Sequence, residues 1–157
     1  MDIPRYSITK SPAETTALGT KLANSLVTRA RRDRGDTEPH VVCLYGELGS
    51  GKTTFVQGFA KGLGITSRLL SPTFIIVRRY EVPVSFTFLY HIDLYRVKTQ
   101  KELTDLGLPE ILSDSLSCTL IEWAERLGDI LPKRRTDIHF SLEENTGHKV
   151  TIRHVRL

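Results

Sequence analysis

The sequence predicts an α/β fold of three layers, with helices on both faces of a mixed, partly antiparallel sheet. Three observations predict it. Residues 46–53 read Gly46-Glu47-Leu48-Gly49-Ser50-Gly51-Lys52-Thr53, which fits G-x-x-x-x-G-K-[ST] at every required position, between an apolar run and a helix-like stretch. Two β-rich regions, 73–92 and 136–156, each hold two strand-like segments joined by a link too short for a parallel crossover, so each pairs antiparallel. A leucine-striped segment near the N-terminus supplies a helix to cover the sheet.

The elements follow in order. Ser11-Pro12-Ala13-Glu14 has the capping-box pattern with proline at the first helical position. Leu18, Leu22 and Leu26 then recur at four-residue spacing, widened by Ala23 and Val27. Residues 29–40 read as a charged connection carrying Gly35 and Pro39. Val41-Val42-Cys43-Leu44-Tyr45 reads as a buried strand feeding the glycine-rich loop. The stretch from Thr53 to Ala60 reads as the helix leaving it, with Gly58 tolerated inside and Gly62 and Gly64 at its end. Residues 73–80 predict one strand, and the alternation Val84, Phe86, Phe88, Tyr90, Ile92 a second. Thr99-Gln100-Lys101-Glu102 is another capping box, opening a helical region to about 116. Cys118-Thr119-Leu120-Ile121 predicts a strand ending at Glu122-Trp123. Two last strands, at 136–142 and 149–156, are joined through Glu144-Asn145-Thr146-Gly147. One domain over residues 1–157 accommodates all of this, without internal repeats.

Composition narrows the class. With 39% apolar and 25% charged residues the chain is ordinary for a globular protein, and no apolar run is long enough to span a bilayer. Met1-Asp2-Ile3-Pro4-Arg5 lacks the apolar core of a secretory leader, so a cytoplasmic location is expected. The two cysteines, Cys43 and Cys118, sit in apolar stretches without metal-ligand spacing and read as buried thiols. Net charge is +4, and basic residues gather in 29–34 (Arg29, Arg31, Arg32, Arg34) and in Lys133-Arg134-Arg135. Such runs are usually solvated, and no aromatic side chain interleaves these to stack on bases.

The chemistry centres on the glycine-rich loop. Its glycines bring successive backbone N–H groups against phosphate oxygens, and the following helix adds its positive end. Gly46, Glu47, Leu48, Gly49, Ser50, Gly51 and Thr54 would cradle phosphate, Lys52 would reach the β- and γ-phosphates, and Thr53 would ligate Mg²⁺. Turnover further needs a carboxylate near the metal and a group that organises water. Asp93 and Glu122 both lie at ends of apolar strands, where ligand-facing groups of such sheets collect, and either serves as the metal-site acid. Ser71-Pro72-Thr73-Phe74 offers hydroxyls for a switch that senses the γ-phosphate. His91 reads as an ordinary packed histidine, and Trp123 as a core anchor or a wall of the pocket.

These motifs together resemble the bacterial TsaE (formerly YjeE) ATPases of tRNA threonylcarbamoyladenosine biosynthesis. The loop continued through Thr54-Phe55 is similar to that family's (D/E)LG(A/S)GKTTF, Ser71-Pro72-Thr73-Phe74 to its SPT(Y/F), His91-Ile92-Asp93-Leu94-Tyr95-Arg96 to its H-x-DLYR, and Ile121-Glu122-Trp123-Ala124-Glu125 to its (V/I)EWxE. Phe74 and Ala124 stand where tyrosine and proline are frequent, and the 29–34 run is unusually basic. The resemblance implies a P-loop NTPase-like fold, ATP and Mg²⁺ as ligands, and TsaD-like and TsaB-like partners, with tRNA contacted indirectly. It further implies Glu122 as the second Mg²⁺-site residue, Asp93 as a catalytic or metal-proximal acid, and Thr15 beside the base. Threonylcarbamoyl transfer would belong to the partner. Arg96 is the one candidate for an internal arginine finger within these motifs. A small-molecule kinase and a tRNA-touching binding module are the rival readings.

Overall fold

A computed structural model describes residues 5–33, 35, 37–145 and 147–155. Residues 1–4, Arg34 of the first basic run, Thr146 of the last turn and Arg156 lie outside the described residues. The chain runs β1 (Tyr6–Thr9), α1 (Pro12–Arg32), β2 (His40–Tyr45), α2 (Lys52–Gly62), β3 (Val77–Glu81), β4 (Phe88–Asp93), α3 (Gln100–Asp105), α4 (Leu108–Leu112), β5 (Cys118–Glu122), β6 (Arg135–Glu143) and β7 (Gly147–Val155). The seven strands form one sheet in the order β1-β7-β6-β2-β5-β4-β3. Its centre, β6-β2-β5-β4, is parallel, and the edges carry antiparallel β3 on one side and β7 and β1 on the other.

Alternating strand residues divide the core in two. Val42, Leu44, Leu89 and Leu120 face α1 and α2, whereas Val41, Cys43, Ile92 and Ile121 face α3, α4 and the 3₁₀ turns of Ala124–Ile130. The α1–α2 contact is backbone against backbone. A Cβ on Gly58 would lie 1.9 Å from the Thr16 carbonyl oxygen, and one on Gly19 would lie 2.3 Å from that of Phe55. Gly58 is therefore required by the helix crossing, more than merely tolerated in a helix.

Both N-caps form: Glu14 N–H donates to Ser11 Oγ at 3.2 Å, and Glu102 N–H to Thr99 Oγ1 at 3.3 Å. The reciprocal half of each box is displaced by one residue, because the Glu14 and Glu102 carboxylates accept from the N–H groups of Lys10 and Lys98, the residues before the caps. Four segment readings need correction. Helix α1 continues through Arg32, so most of the first basic run is helical and not a connection; its basic side chains suit the negative end of the helix. The first hairpin strand begins at Val77, because the Pro72 carbonyl accepts from Ile75 N–H at 3.1 Å and Ile76 N–H at 2.5 Å, closing a turn over the β-prone residues 73–76. Its partner begins at Phe88, after Ser85 at φ 73° breaks the alternation. The 99–116 region divides at Gly107, at φ 72°, into α3 and α4. Strand β1 has no counterpart in the sequence reading.

Candidate functional site

The parallel register sets the site. Strand β2 ends where the glycine-rich loop begins, and β5 and β4 end beside it with Leu44 opposite Glu122 and Glu122 opposite Asp93. Both acids therefore emerge at one level, on the α2 face, at the carboxyl end of the sheet. Both are buried, at 5% exposed for Glu122 and 6% for Asp93.

The loop is stapled from several sides. Gly46 at φ 146° lies against the Phe140 backbone of β6, where a Cβ would meet its carbonyl oxygen at 2.7 Å. His148 of β7 donates from Nδ1 to the Ser50 carbonyl at 2.8 Å. Gly51, at φ 101°, turns the chain into α2. Lys52 folds back over the loop, donating to the carbonyls of Gly46 and Glu47 (2.8 Å to the latter), with Ser50 Oγ at 3.5 Å. Its ammonium lies 4.7 Å from the centre of the Trp123 ring. Burial lowers the Lys52 pKa below the ordinary lysine value, and the nearby carboxylates of Glu122, Glu125, Asp93 and Glu47 pull it back up. Trp123 is held at φ 58°, a left-handed conformation that turns the chain sharply after β5.

Opposite the loop, Thr73 donates from Oγ1 to Asp93 Oδ2 at 2.9 Å and lies 2.7 Å from Ser71 Oγ. Tyr95 N–H donates to the other Asp93 oxygen at 2.9 Å. His91 is more than a packing residue. Its Nε2 lies 3.0 Å from Glu122 Oε2, so it orients that carboxylate.

These groups border one cleft of about 430 Å³. Of the residues singled out from the sequence, Leu48, Gly49, Gly51, Lys52, Thr53, Thr54 and Thr73 line it together with Asp93, Glu122, Trp123 and Thr15. Gly46, Glu47 and Ser50 belong to the loop but not to the cleft lining. Thr15 is buried, and its hydroxyl is taken by Thr9 Oγ1 at 2.7 Å, so it offers its methyl group toward Gly51. The wall formed by Lys10, Ser11, Pro12, Gly147 and His148 was missed. The Ser11 cap is visible in sequence, but its approach to the loop depends on the pairing of β1 with β7.

The donor set suits a small hard cation shared with a phosphate: one hydroxyl at Thr53 and two carboxylates, set at the positive end of α2. Among the described residues no cluster of three or more His, Cys, Asp or Glu could hold a metal by protein ligands alone. No described helix is long and apolar enough to cross a membrane.

A mixed α/β sheet with this loop at the carboxyl end of its parallel strands defines a P-loop NTPase-like fold. A crystal structure of Bacillus subtilis YdiB has the same architecture, with a TM-score of 0.71 and 30% identity, covering 96% of this chain and 84% of that one. The chain belongs to the TsaE family, described as "Threonylcarbamoyl adenosine biosynthesis protein TsaE", whose profile matches residues 9–151. Relatives named "tRNA threonylcarbamoyladenosine biosynthesis protein TsaE" include that of Bacillus subtilis, 42% identical over 83% of this chain and 73% of its own length. That of Treponema pallidum is 36% identical over 73% of this chain and 82% of its own.

Proposed function

We propose that this protein is a Mg²⁺-dependent ATPase that serves threonylcarbamoyladenosine modification of tRNA by activating or resetting a TsaD-like and TsaB-like transferase pair. One observation carries the reading: Lys52, Thr53, Asp93 and Glu122, from three separate elements, converge on the cleft beside the glycine-rich loop. The loop N–H groups and Lys52 bind the phosphates, and Trp123 and the Lys10–Pro12 wall bound the space for the rest of the nucleotide. Thr53 and Glu122 hold Mg²⁺, with Asp93 alongside. The cation, when bound, neutralises charge between the phosphates. His91 fixes the Glu122 carboxylate.

Thr73 has one hydroxyl proton, which goes to Asp93 in this structure. It can serve Asp93 or a γ-phosphate but not both, which makes residues 71–77 a nucleotide-sensitive segment. The lining includes no arginine among the described residues, and the Arg96 guanidinium instead rests on the Phe74 ring at 4.6 Å. Lacking such a cation costs ~10³–10⁵ in rate. Hydrolysis by the chain alone is therefore slow, and a partner seated on the exposed Phe74 and Ile75 would reorder the segment or supply the charge.

The test is ATP hydrolysis by the purified protein, alone and with the partner pair, using Lys52→Ala as the blank. Weak activity that rises with partners and vanishes in the variant is the expected result. No stimulation, with or without tRNA, overturns the proposal. Asp93→Ala and Glu122→Ala, compared for Mg²⁺-ATP affinity and for turnover, separate metal binding from transition-state roles.

A further inference from the structure

Among the described residues three buried side-chain polar atoms lack a hydrogen-bond partner: Arg78 Nε, His91 Nδ1 and Ser117 Oγ. Buried polar groups are nearly always paired, so such atoms mark places where an interaction is still to be made. Ser117 precedes β5, at the end of the sheet remote from the cleft. The other two belong together, because Arg78 of β3 and His91 of β4 stand directly opposite each other in the antiparallel ladder. Cross-strand partners share a face, with Cβ atoms ~4.5–5.5 Å apart, well within reach of an arginine.

That face is the one that carries the two acids. His91 is opposite Leu120 in the parallel β4–β5 register, and Leu120 belongs to the core against α1 and α2. On the arginine's own strand Tyr80, two residues on, packs against the same core. Arg79 points to the other side, where its guanidinium rests on the Phe88 ring at 4.3 Å. The Arg78–His91 pair is also straddled by the segment before β3. Leu70 N–H donates to Tyr80 Oη at 3.1 Å, and Thr73 donates to Asp93. Tyr80 and Asp93 lie two residues along β3 and β4 from the pair, one on each side of it.

The two unpaired atoms are complementary in kind. The Glu122 carboxylate only accepts, so His91 meets it with Nε2–H at 3.0 Å. That leaves Nδ1 of the neutral ring as a bare acceptor. Arg78 Nε carries a hydrogen and only donates. One hydrogen bond between them, direct or through a single water, satisfies both atoms and extends a chain from Arg78 through His91 to Glu122. A ring held at both nitrogens has its tautomer and tilt fixed, whereas one held at Nε2 alone can rock about that bond.

We propose that Arg78 is a positioning residue: its Nε–H engages His91 Nδ1 and, through that ring, holds the Glu122 carboxylate in the orientation that receives Mg²⁺. The arginine itself does not line the cleft. Its effect on metal binding rests on the ATPase reading; the Arg78–His91 bond does not.

Arg78→Lys is the variant that tests it, because lysine keeps the charge and the stem but puts a methylene where Nε–H stood. The first readout is the nitrogen-15 spectrum of the His91 ring in the nucleotide-free protein, assigned by its loss in His91→Gln. A ring nitrogen that accepts a hydrogen bond resonates upfield of one that accepts none. The wild-type Nδ1 signal should therefore lie upfield of that in Arg78→Lys. The second readout is the affinity for a non-hydrolysable ATP analogue, by calorimetry, with Mg²⁺ and with EDTA. Arg78→Lys should reduce the gain in affinity from Mg²⁺ by roughly 10-fold, the lower end of what partners of metal-holding groups contribute, and leave the affinity in EDTA unchanged. In a His91→Gln background it should have no further effect on that gain. Arg79→Ala, which removes a charge from the other face, should keep the wild-type gain. An Nδ1 signal that does not move, or equal losses in Mg²⁺ and in EDTA, overturns the proposal. Failure of the wild type to bind the analogue at all overturns the ATPase reading and the metal role with it, while the nitrogen shift still decides the Arg78–His91 bond.

Discussion

The two sides of the cleft are built on opposite plans. The glycine-rich loop is held by the Phe140 backbone, by the His148 imidazole and by a helix whose glycines lock against α1. Residues 71–77 face it with Phe74 83% exposed, Ile75 half exposed, and Ile76 at φ 66°, where a β-branched side chain is strained. One wall is defined by core packing and the other by a few hydrogen bonds to Asp93. A site that must grip phosphates and also signal to another protein gains from that division, because packed cores do not deform continuously whereas a thinly anchored turn has alternatives.

The largest expected effect comes from breaking the packed wall. Gly58→Val drives a side chain into the Thr16 backbone and should cost about 3 kcal/mol, read from urea unfolding. A loss below about 1 kcal/mol would show that α1 and α2 part easily and that the contrast is wrong. Nearly as large is a pH effect from the strands beneath the loop. Burial pushes both the Cys43 and Cys118 thiols up to about 12. Above pH ~9 the unfolded chain releases protons that the folded chain keeps, so stability present below that pH is lost as pH rises. From pH ~9 to ~10 the loss should be about 1 kcal/mol per thiol, and Cys43→Ala/Cys118→Ala should flatten that slope while lowering stability at neutral pH.

The exposed wall should respond weakly. Ile76→Gly forfeits side-chain packing but relieves a left-handed residue worth about 1–2 kcal/mol, so thermal or urea unfolding should place it within ~1 kcal/mol of the wild type. A loss of about 3 kcal/mol would mean that 71–77 is as firmly packed as the loop. Smallest of all, Phe74→Ser should shift stability by no more than about 0.5 kcal/mol while reducing partner-stimulated turnover. Equal stimulation of variant and wild type would remove Phe74 from the docking surface.

What was legible in the sequence was local. The loop, both helix caps and the β6–β7 hairpin are each specified within a few consecutive residues, and the acids were placed by the rule that strand ends carry ligands. The His91–Glu122 pair was not legible, because it depends on the register of β4 against β5. Strand β1 escaped notice for a similar reason: Tyr6 and Ile8 are only partly covered, and its partner lies at the far end of the chain. At 73–76 the pattern pointed the wrong way. Phe74, Ile75 and Ile76 are strand formers by propensity, but the Pro72 carbonyl captures two of their N–H groups and a turn results.

Trp123 is the only tryptophan in the chain. Because its indole lies beside the Lys52 ammonium and borders the cleft, the protein carries a native fluorophore at a single site. Its emission will change whenever that ammonium moves, so ligand arrival and partner arrival can be timed separately by stopped flow, without a label and without waiting for turnover.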